Sequence, residues 1–359
     1  MSIVTYEPIG VCALIGPWNM PLGLTAMKIA GALAFGNTCV VKPSELTPLT
    51  VTRLFEIMEG ILPEGVMNLV NGRGHVTGTA LVSHPGIDMV SFTGGTVTGA
   101  AILGSLAKGI KGSAMELGGK SANIIFADAD FEQALDAAMM SSFMNNGQMC
   151  LAGSRIFIER KIADQFIDAF TRRVNALKIG DPITDGTEIG PMINPAQRER
   201  MARYAESGLK EGATLLCGGH RFSGLNTGYF FEPTAMLSPS NDVAICREEI
   251  FGPFAAIQIF EEEDEVIAKA NESDFGLVGY VWTQDLRRSM RAASALRTGT
   301  VLVNTPIVRD LRTGFGGYKQ SGLGREGAKG SHAMFTEMKT TIIARAPRPM
   351  PRMGSSAGA

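Results

Sequence analysis

No stretch of this 359-residue chain approaches the roughly 20 consecutive apolar residues of a membrane-spanning helix, which excludes a helical membrane protein. There is no excess of basic residues either. Lys and Arg number 33 against 35 Asp and Glu, for a net charge of −2, so neither nucleic acid nor an anionic membrane surface is an expected partner. The N-terminus, Met1-Ser2-Ile3-Val4-Thr5-Tyr6-Glu7, lacks the basic and apolar regions of a secretory signal, and a cytoplasmic location is expected. Cysteines are few, odd in number and widely spaced, at 12, 39, 150, 217 and 246. That pattern argues against a disulfide framework or a zinc site and for free thiols in a reducing compartment, with no metal expected. Cys12 and Cys39 lie in β-rich apolar runs and read as core. The chain also has no internal repeat, no Pro/Ser-rich linker and no convincingly placed GxGxxG loop.

What is present is an ordinary globular composition, 45% hydrophobic and 19% charged, long enough for two domains. Between Gly10 and Glu116, strand-like runs at Val11–Ile15, Thr38–Val41, Val66–Val70, Met89–Phe92 and Ala114–Leu117 alternate with helical patterns at Leu22–Ala34, Pro48–Gly60, His75–Ser83 and Thr98–Ala107. Such alternation predicts an α/β protein with a doubly wound parallel sheet. A second α/β unit follows, with strands predicted at 122–126, 155–158, 214–217, 234–237, 254–260, 278–283 and 300–304. The expected division is a cofactor domain over residues 1–120, a catalytic domain over 121–318, a return segment over 319–345 and a disordered tail over 346–359. A final strand is expected at Thr340–Ala344.

The chemistry centres on Cys150, reached through Asn145-Asn146-Gly147-Gln148-Met149. A cysteine is ordinarily a small buried hydrophobe. Here glycine and amide residues lead into it, which lets backbone approach a ligand and sets hydrogen-bond donors beside the sulfur. Upstream, Met115-Glu116-Leu117-Gly118-Gly119-Lys120 offers one carboxylate in an apolar strand. A nucleophile and a base are both on offer.

These two motifs, with Gly16-Pro17-Trp18-Asn19-Met20-Pro21-Leu22, Lys42-Pro43-Ser44-Glu45, Phe92-Thr93-Gly94-Gly95, Glu248-Glu249-Ile250-Phe251-Gly252-Pro253 and the glycine-rich stretch 314–326, resemble the aldehyde dehydrogenase superfamily. The resemblance implies covalent catalysis: a Cys150 thiolate adds to an aldehyde, hydride leaves to a nicotinamide cofactor, and water hydrolyses the thioester. It makes Glu116 the general base and gives the oxyanion to the Asn19 side chain and the Cys150 backbone N–H. Gly94 and Gly95 would bring a helix N-terminus to the pyrophosphate, though a tight strand-to-helix turn explains those glycines equally well. Lys42 and Glu45, a pair that is usually a solvated ion pair, would hold the adenosine ribose, and a carboxylate there implies NAD over NADP. Trp18, Glu249 and Phe251 would sit at the nicotinamide end.

For the substrate, Met20, Met27 and Met144 fill positions often aromatic in the family, beside Phe315. Val308-Arg309-Asp310-Leu311-Arg312 is similar to the corresponding loop of muconic-semialdehyde-type members. That likeness implies a carboxylate-bearing semialdehyde held by Arg309 through its bidentate fork. The resemblance also implies a homo-oligomer, dimer or tetramer, built partly on the last strand. Three departures stand out: Gly95 replaces a common serine, Gly314 replaces a common proline, and the family's N-terminal portion is expected to be missing, leaving the last strand an unpaired edge. A catalytically silent fragment or binding paralogue is the alternative function, with cofactor-free esterase chemistry a third reading.

Overall fold

The computed structural model describes residues 1–351, Met353 and Gly354, without the side chain of Ala328. The chain opens with strand β1 (Ser2–Pro8) and then alternates β2 (Val11–Ile15), α1 (Pro21–Ala34), β3 (Thr38–Lys42), α2 (Leu49–Met58) and β4 (Met67–Leu69). A π-helical turn at Gly74–Gly78 leads into α3 (Thr79–Ser83), followed by β5 (Met89–Thr93), α4 (Thr96–Leu106) and β6 (Gly112–Glu116). Strands β2 to β6 form a parallel sheet ordered β6-β5-β2-β3-β4.

Both faces of this sheet are covered, so its strands are apolar on both sides. In β2, Cys12 and Leu14 join the cluster packed by α1 (Ile29, Ala32), while Ala13 and Ile15 join the opposite one with Phe92, Leu106 and Leu117. That is the period-2 alternation of a strand read by two layers of helix.

The second sheet begins at β7 (Ala122–Ile125) and takes in β8 (Arg155–Glu159), β9 (Thr214–Cys217), β10 (Thr234–Leu237), β11 (Phe254–Phe260), and then β13 (Val278–Trp282) and β14 (Thr300–Val303) after the short β12 (Phe275–Gly276). Its order is β14-β13-β7-β8-β11-β10-β9, with only β9 antiparallel. Helices α5 (Phe131–Phe143), α6 (Arg160–Ala176), α7 (Pro195–Lys210), α8 (Ala244–Arg247), α9 (Glu263–Asn271) and α10 (Leu286–Ala295) lie between these strands in sequence. The caps are visible in the sequence: Asp130 and Asn194 accept the N3 amides of α5 and α7, and Asp285 accepts those of Arg287 and Arg288. After β15 (Tyr318–Lys319), the segment β16 (Gly322–Leu323) adds an antiparallel strand to β6, and α11 (Ala328–Phe335) packs Phe335 into the first core.

The end of the chain corrects one expectation. The last strand, β17, runs over Thr336–Ile342 rather than 340–344, and it pairs antiparallel with β1 at every position from Ser2↔Ile342 to Pro8↔Thr336. The edge expected to be unpaired is satisfied from within the chain. Its partner, Ser2–Pro8, was missed as a strand: it is exposed throughout and buries no face of its own. From Ala346 to Met350 there is no helix or strand. The rest of the expected disordered tail includes Arg352 and 355–359, which lie outside the described residues.

Candidate active site

Parallel α/β sheets bind ligands at the carboxyl ends of their strands, and a large cavity here follows that rule. It measures about 740 Å³ and is bordered by Ile15 and Gly16 beyond β2, Lys42 at the end of β3, Thr93 and Gly94 at the end of β5, and Leu117 and Gly118 just past β6. Along it lie Trp18, Asn19, Lys42, Glu45, Gly94, Gly95, Cys150, Glu249 and Phe251. Nine positions singled out from widely separated motifs therefore share one wall.

At one end, Glu45 accepts a hydrogen bond from Gly74 N–H at 3.1 Å and stands 3.5 Å from the Lys42 ammonium. Partial burial pushes its carboxyl up, but the N–H groups of Gly74 and Glu45 and the Lys42 charge outweigh this and hold it below the usual carboxylate range. An ionised carboxylate there repels a phosphate. Further along, α4 begins at Gly95 with no side chain capping its first turn, and Gly94 and Gly95 both face the cavity. Uncapped N–H groups at a helix start suit an anion. The residues therefore fit an extended dinucleotide with its diphosphate at α4.

At the other end, α5 stops at Phe143 and the chain turns through three left-handed residues, Asn145 (φ 52°), Asn146 (φ 55°) and Gly147 (φ 63°). Asparagine and glycine tolerate that region better than other residues. A Cβ on Gly147 would sit 2.1 Å from Gly252 O, so the turn also demands a glycine for space. The Asn146 carboxamide accepts from Gly190 N–H at 3.0 Å and donates to Gly190 O at 2.7 Å and Pro191 O at 3.0 Å. Gln148 Oε1 accepts from Ile193 N–H at 3.1 Å. Two amide side chains thus lock the loop that presents Cys150.

The glycine pair after Glu116 is explained by contact. A Cβ on Gly119 would lie 2.1 Å from Cys150 O, and one on Gly118 would lie 2.6 Å from Glu249 Oε2. Gly119 N–H donates to Glu249 Oε1 at 2.9 Å. The β6–β7 connection therefore passes directly behind both the Cys150 backbone and the cavity-lining Glu249 carboxylate.

Cys150 is half-buried on the cavity wall. Burial first, then the Glu116 and Glu249 carboxylates, push its thiol up to about 12, while the N–H groups of Cys150 and Leu151 pull the other way. Glu116 is 6% exposed, its Oε1 has no partner, and burial followed by the neighbouring Glu326 raises it to about 8. A neutral thiol and a carboxyl that titrates near neutrality make a nucleophile that needs a base and a base poised to serve.

Beneath Glu116 lies an ion pair absent from the sequence reading. The Lys28 ammonium pairs with Glu326 and donates to Ser91 Oγ at 2.9 Å, all three residues being buried. Lys28→Met should leave Glu326 as an unpaired buried charge and destabilise the fold by about 3–5 kcal/mol. A denaturant midpoint within error of the parent would refute this.

Other positions were also missed. Gln197 Nε2 donates to Phe251 O at 2.6 Å and Ile250 O at 3.1 Å, Arg200 donates to Glu249 O, and both line the cavity from α7. Nothing in the polar run 197–200 separates them from surface residues. Lys120 is buried, its ammonium has no partner, and burial draws it down to about 7.

The substrate positions do not gather as the cofactor ones do. Met20, Met144, Arg309 and Phe315 lie off the large cavity. Met20 and Met144 are exposed, and Met144 opens onto a separate pocket of about 390 Å³ with Met139, Met140 and Arg173. Phe315 packs with Cys150, Leu151 and Leu302 around Tyr280. The Arg309 guanidinium sits 4.4 Å from the Phe315 ring centre, and its Nε and one terminal nitrogen, Nη2, are buried without a hydrogen-bond partner.

Residues 1–341 match the model of the aldehyde dehydrogenase family. The chain belongs to that family. Among curated aldehyde dehydrogenases, it is 42% identical over 340 residues to the betaine aldehyde dehydrogenase of Brucella anthropi, covering 94% of this chain and 70% of that one. It is 44% identical over 348 residues to a 2-aminomuconic 6-semialdehyde dehydrogenase of Pseudomonas, covering 96% and 71%. The NAD+ complex of an aldehyde dehydrogenase from Bacillus cereus superposes with a TM-score of 0.93 at 42% identity over 96% of this chain and 70% of that chain. A betaine aldehyde dehydrogenase of Staphylococcus aureus in complex with NAD+ gives a TM-score of 0.96 at 41% identity, covering 99% and 71%. Among the described residues of this aldehyde dehydrogenase, no cluster of potential metal ligands occurs and no helix is long and apolar enough to cross a membrane.

Proposed function

We propose that this chain is an NAD-dependent aldehyde dehydrogenase that oxidises a carboxylate-bearing semialdehyde to the acid. The observation that carries the reading is the single cavity that has Glu45 and Lys42 at one end and Cys150 and Asn19 at the other. Bound NAD supplies the hydride acceptor. Glu45 and Lys42 would hold the adenosine ribose, the start of α4 would meet the diphosphate, and Glu249, kept in place by Gly119 N–H, would meet the second ribose. Glu116 takes the Cys150 proton; the sulfur then bonds to the aldehyde carbon as the carbonyl pair moves onto oxygen, met by Asn19 Nδ2 and Cys150 N–H. Once a thioester stands on Cys150 and Glu116 has passed its first proton to solvent, Glu116 takes a proton from the attacking water and the thiolate leaves as the acid forms.

The semialdehyde assignment rests on Arg309. A guanidinium buried against Phe315 with two nitrogens unpartnered, in the field of Glu116, Glu326 and Cys150, lacks the carboxylate that would complete it. Arg309→Ala should raise KM about 10- to 100-fold for aldehydes bearing a carboxylate, the worth of a charged hydrogen bond, and leave neutral aldehydes nearly unchanged. Equal losses on both classes would remove the assignment. Betaine aldehyde, a cation, is the natural counter-substrate: the parent should use it poorly and the alanine variant better.

The assignment of residues 1–120 to cofactor binding, 121–318 to catalysis and 319–345 to the return segment belongs to the same reading. So does self-association. The β1–β17 ribbon is exposed at nearly every position, including Ile3, Val4, Tyr6, Met338 and Ile342, and an isolated two-stranded ribbon is marginal. Light scattering should find a dimer or tetramer; a monomer across micromolar concentrations would exclude it.

A further inference from the structure

Two carboxamides converge on one backbone oxygen beside the nucleophile. Gln148 O accepts from Asn19 Nδ2 at 2.9 Å and from Asn145 Nδ2 at 3.3 Å, and Asn145 Nδ2 also donates to Asn19 O at 3.0 Å. The three residues therefore close a small cycle that joins the loop before α1 to the loop carrying Cys150. We infer that Asn145 is a positioning residue for the oxyanion site, fixing the Asn19 carboxamide against the nucleophile loop. The inference rests on the proposed roles of Cys150 and Asn19.

The chemistry is a matter of counting hydrogens. Asn19 Nδ2 carries two, of which one is held by Gln148 O, leaving the other for the substrate oxygen. Without a second tie, Asn19 would be anchored to the nucleophile loop by that one bond alone, and the bond would have to serve both as anchor and as aim. The Asn145 amide supplies the second tie at the Asn19 backbone. Preorganised donors stabilise a developing oxyanion because no reorganisation is left for the reaction, and a misplacement of about 1 Å is enough to lower rate by roughly 10²-fold. Asparagine also satisfies the backbone, since residue 145 is left-handed at φ 52°.

Two variants separate side chain from backbone. Asn145→Gly keeps the left-handed conformation and deletes the amide; Asn145→Asp keeps shape but turns an acceptor toward two carbonyl oxygens. Both should lower kcat about 10- to 100-fold, with the dissociation constant for NAD and the thermal midpoint close to the parent's. Asn145→Gly should add no further loss in an Asn19→Ala background, because the aim it controls is already gone. The parent and Cys150→Ala are assayed alongside by NADH formation. If the parent is active and Asn145→Gly retains its kcat, or if its loss multiplies fully with that of Asn19→Ala, the positioning role is wrong and the function stands. A parent that forms no NADH overturns the proposed function and this inference with it.

Discussion

Replacing Cys150 with alanine is expected to abolish NADH formation, lowering kcat by on the order of 10⁴-fold or more, while NAD still binds. The size of the effect follows from what the sulfur does. An aldehyde in its planar carbonyl form is a poor hydride donor, and the tetrahedral adduct on sulfur is a good one, so no neighbouring group can substitute for the thiol. The site is arranged around that atom: Gly119 has no Cβ to collide with Cys150 O, Asn146 and Gln148 fasten the presenting loop to residues 190–193, and Cys150 packs, as Phe315 does, against Leu277, Val278 and Tyr280. The side chains proposed to bind the dinucleotide, Lys42, Glu45 and Glu249, come from other elements and keep their partners when the sulfur is removed. Calorimetry should therefore give an NAD affinity within a few-fold of the parent's in the alanine variant. Turnover persisting in Cys150→Ala would mean that the proposed chemistry is not the chemistry of this chain.

How much of this could be read in advance depended on whether the signal was local. The strands β2, β3, β5 and β6 announce themselves as short β-branched runs, and the cofactor-side residues sit just past their carboxyl ends, so the motifs Lys42–Glu45 and Phe92–Gly95 could be placed from sequence. Features that depend on a distant partner were invisible. Strand β1 buries no face against a core and exists because β17 returns to pair with it. Lys28 looks like one more polar residue on an amphipathic helix until Glu326, 298 residues away, arrives beside it. Gln197 and Arg200 sit in a run of charged and amide residues, and only the course of α7 across the Glu249–Phe251 turn brings them to the cavity. The substrate positions are a different case. Met144 was expected among the substrate positions with Phe315; the helix ends at Phe143, and Met144, just ahead of the left-handed turn at 145–147, lines a separate pocket with Met140 and Arg173. A break in helix geometry of that kind has no periodic signature, and the two asparagines that adopt it read equally well as loop residues.

Glu116→Gln should have the second largest effect, a loss of about 10²- to 10⁴-fold in turnover at neutral pH, with a changed pH profile. Burial and the nearby Glu326 raise the Glu116 carboxyl to about 8, so below that pH it is mostly protonated and unable to accept a proton. Parent activity should therefore climb through pH 8, and the glutamine variant should lose that limb. A limb that survives the substitution would assign the titration to another group, Lys120 being the next candidate because burial brings its ammonium down to about 7. Stability supplies an independent check with its own sign. Because the folded-state value lies above the unfolded one, the folded chain holds a proton that the unfolded chain has released between roughly pH 4.5 and 8. The Glu116 contribution to the parent's stability then falls as pH rises across that window and levels off above it, whereas glutamine has nothing to release. Relative to the parent, Glu116→Gln should gain thermal stability as pH increases from 5 to 9, even as it loses activity at every pH. The same apolar setting that would make Glu116 a usable base also makes its ionised form costly to the fold, and a variant that is more stable and less active would show both consequences in one protein.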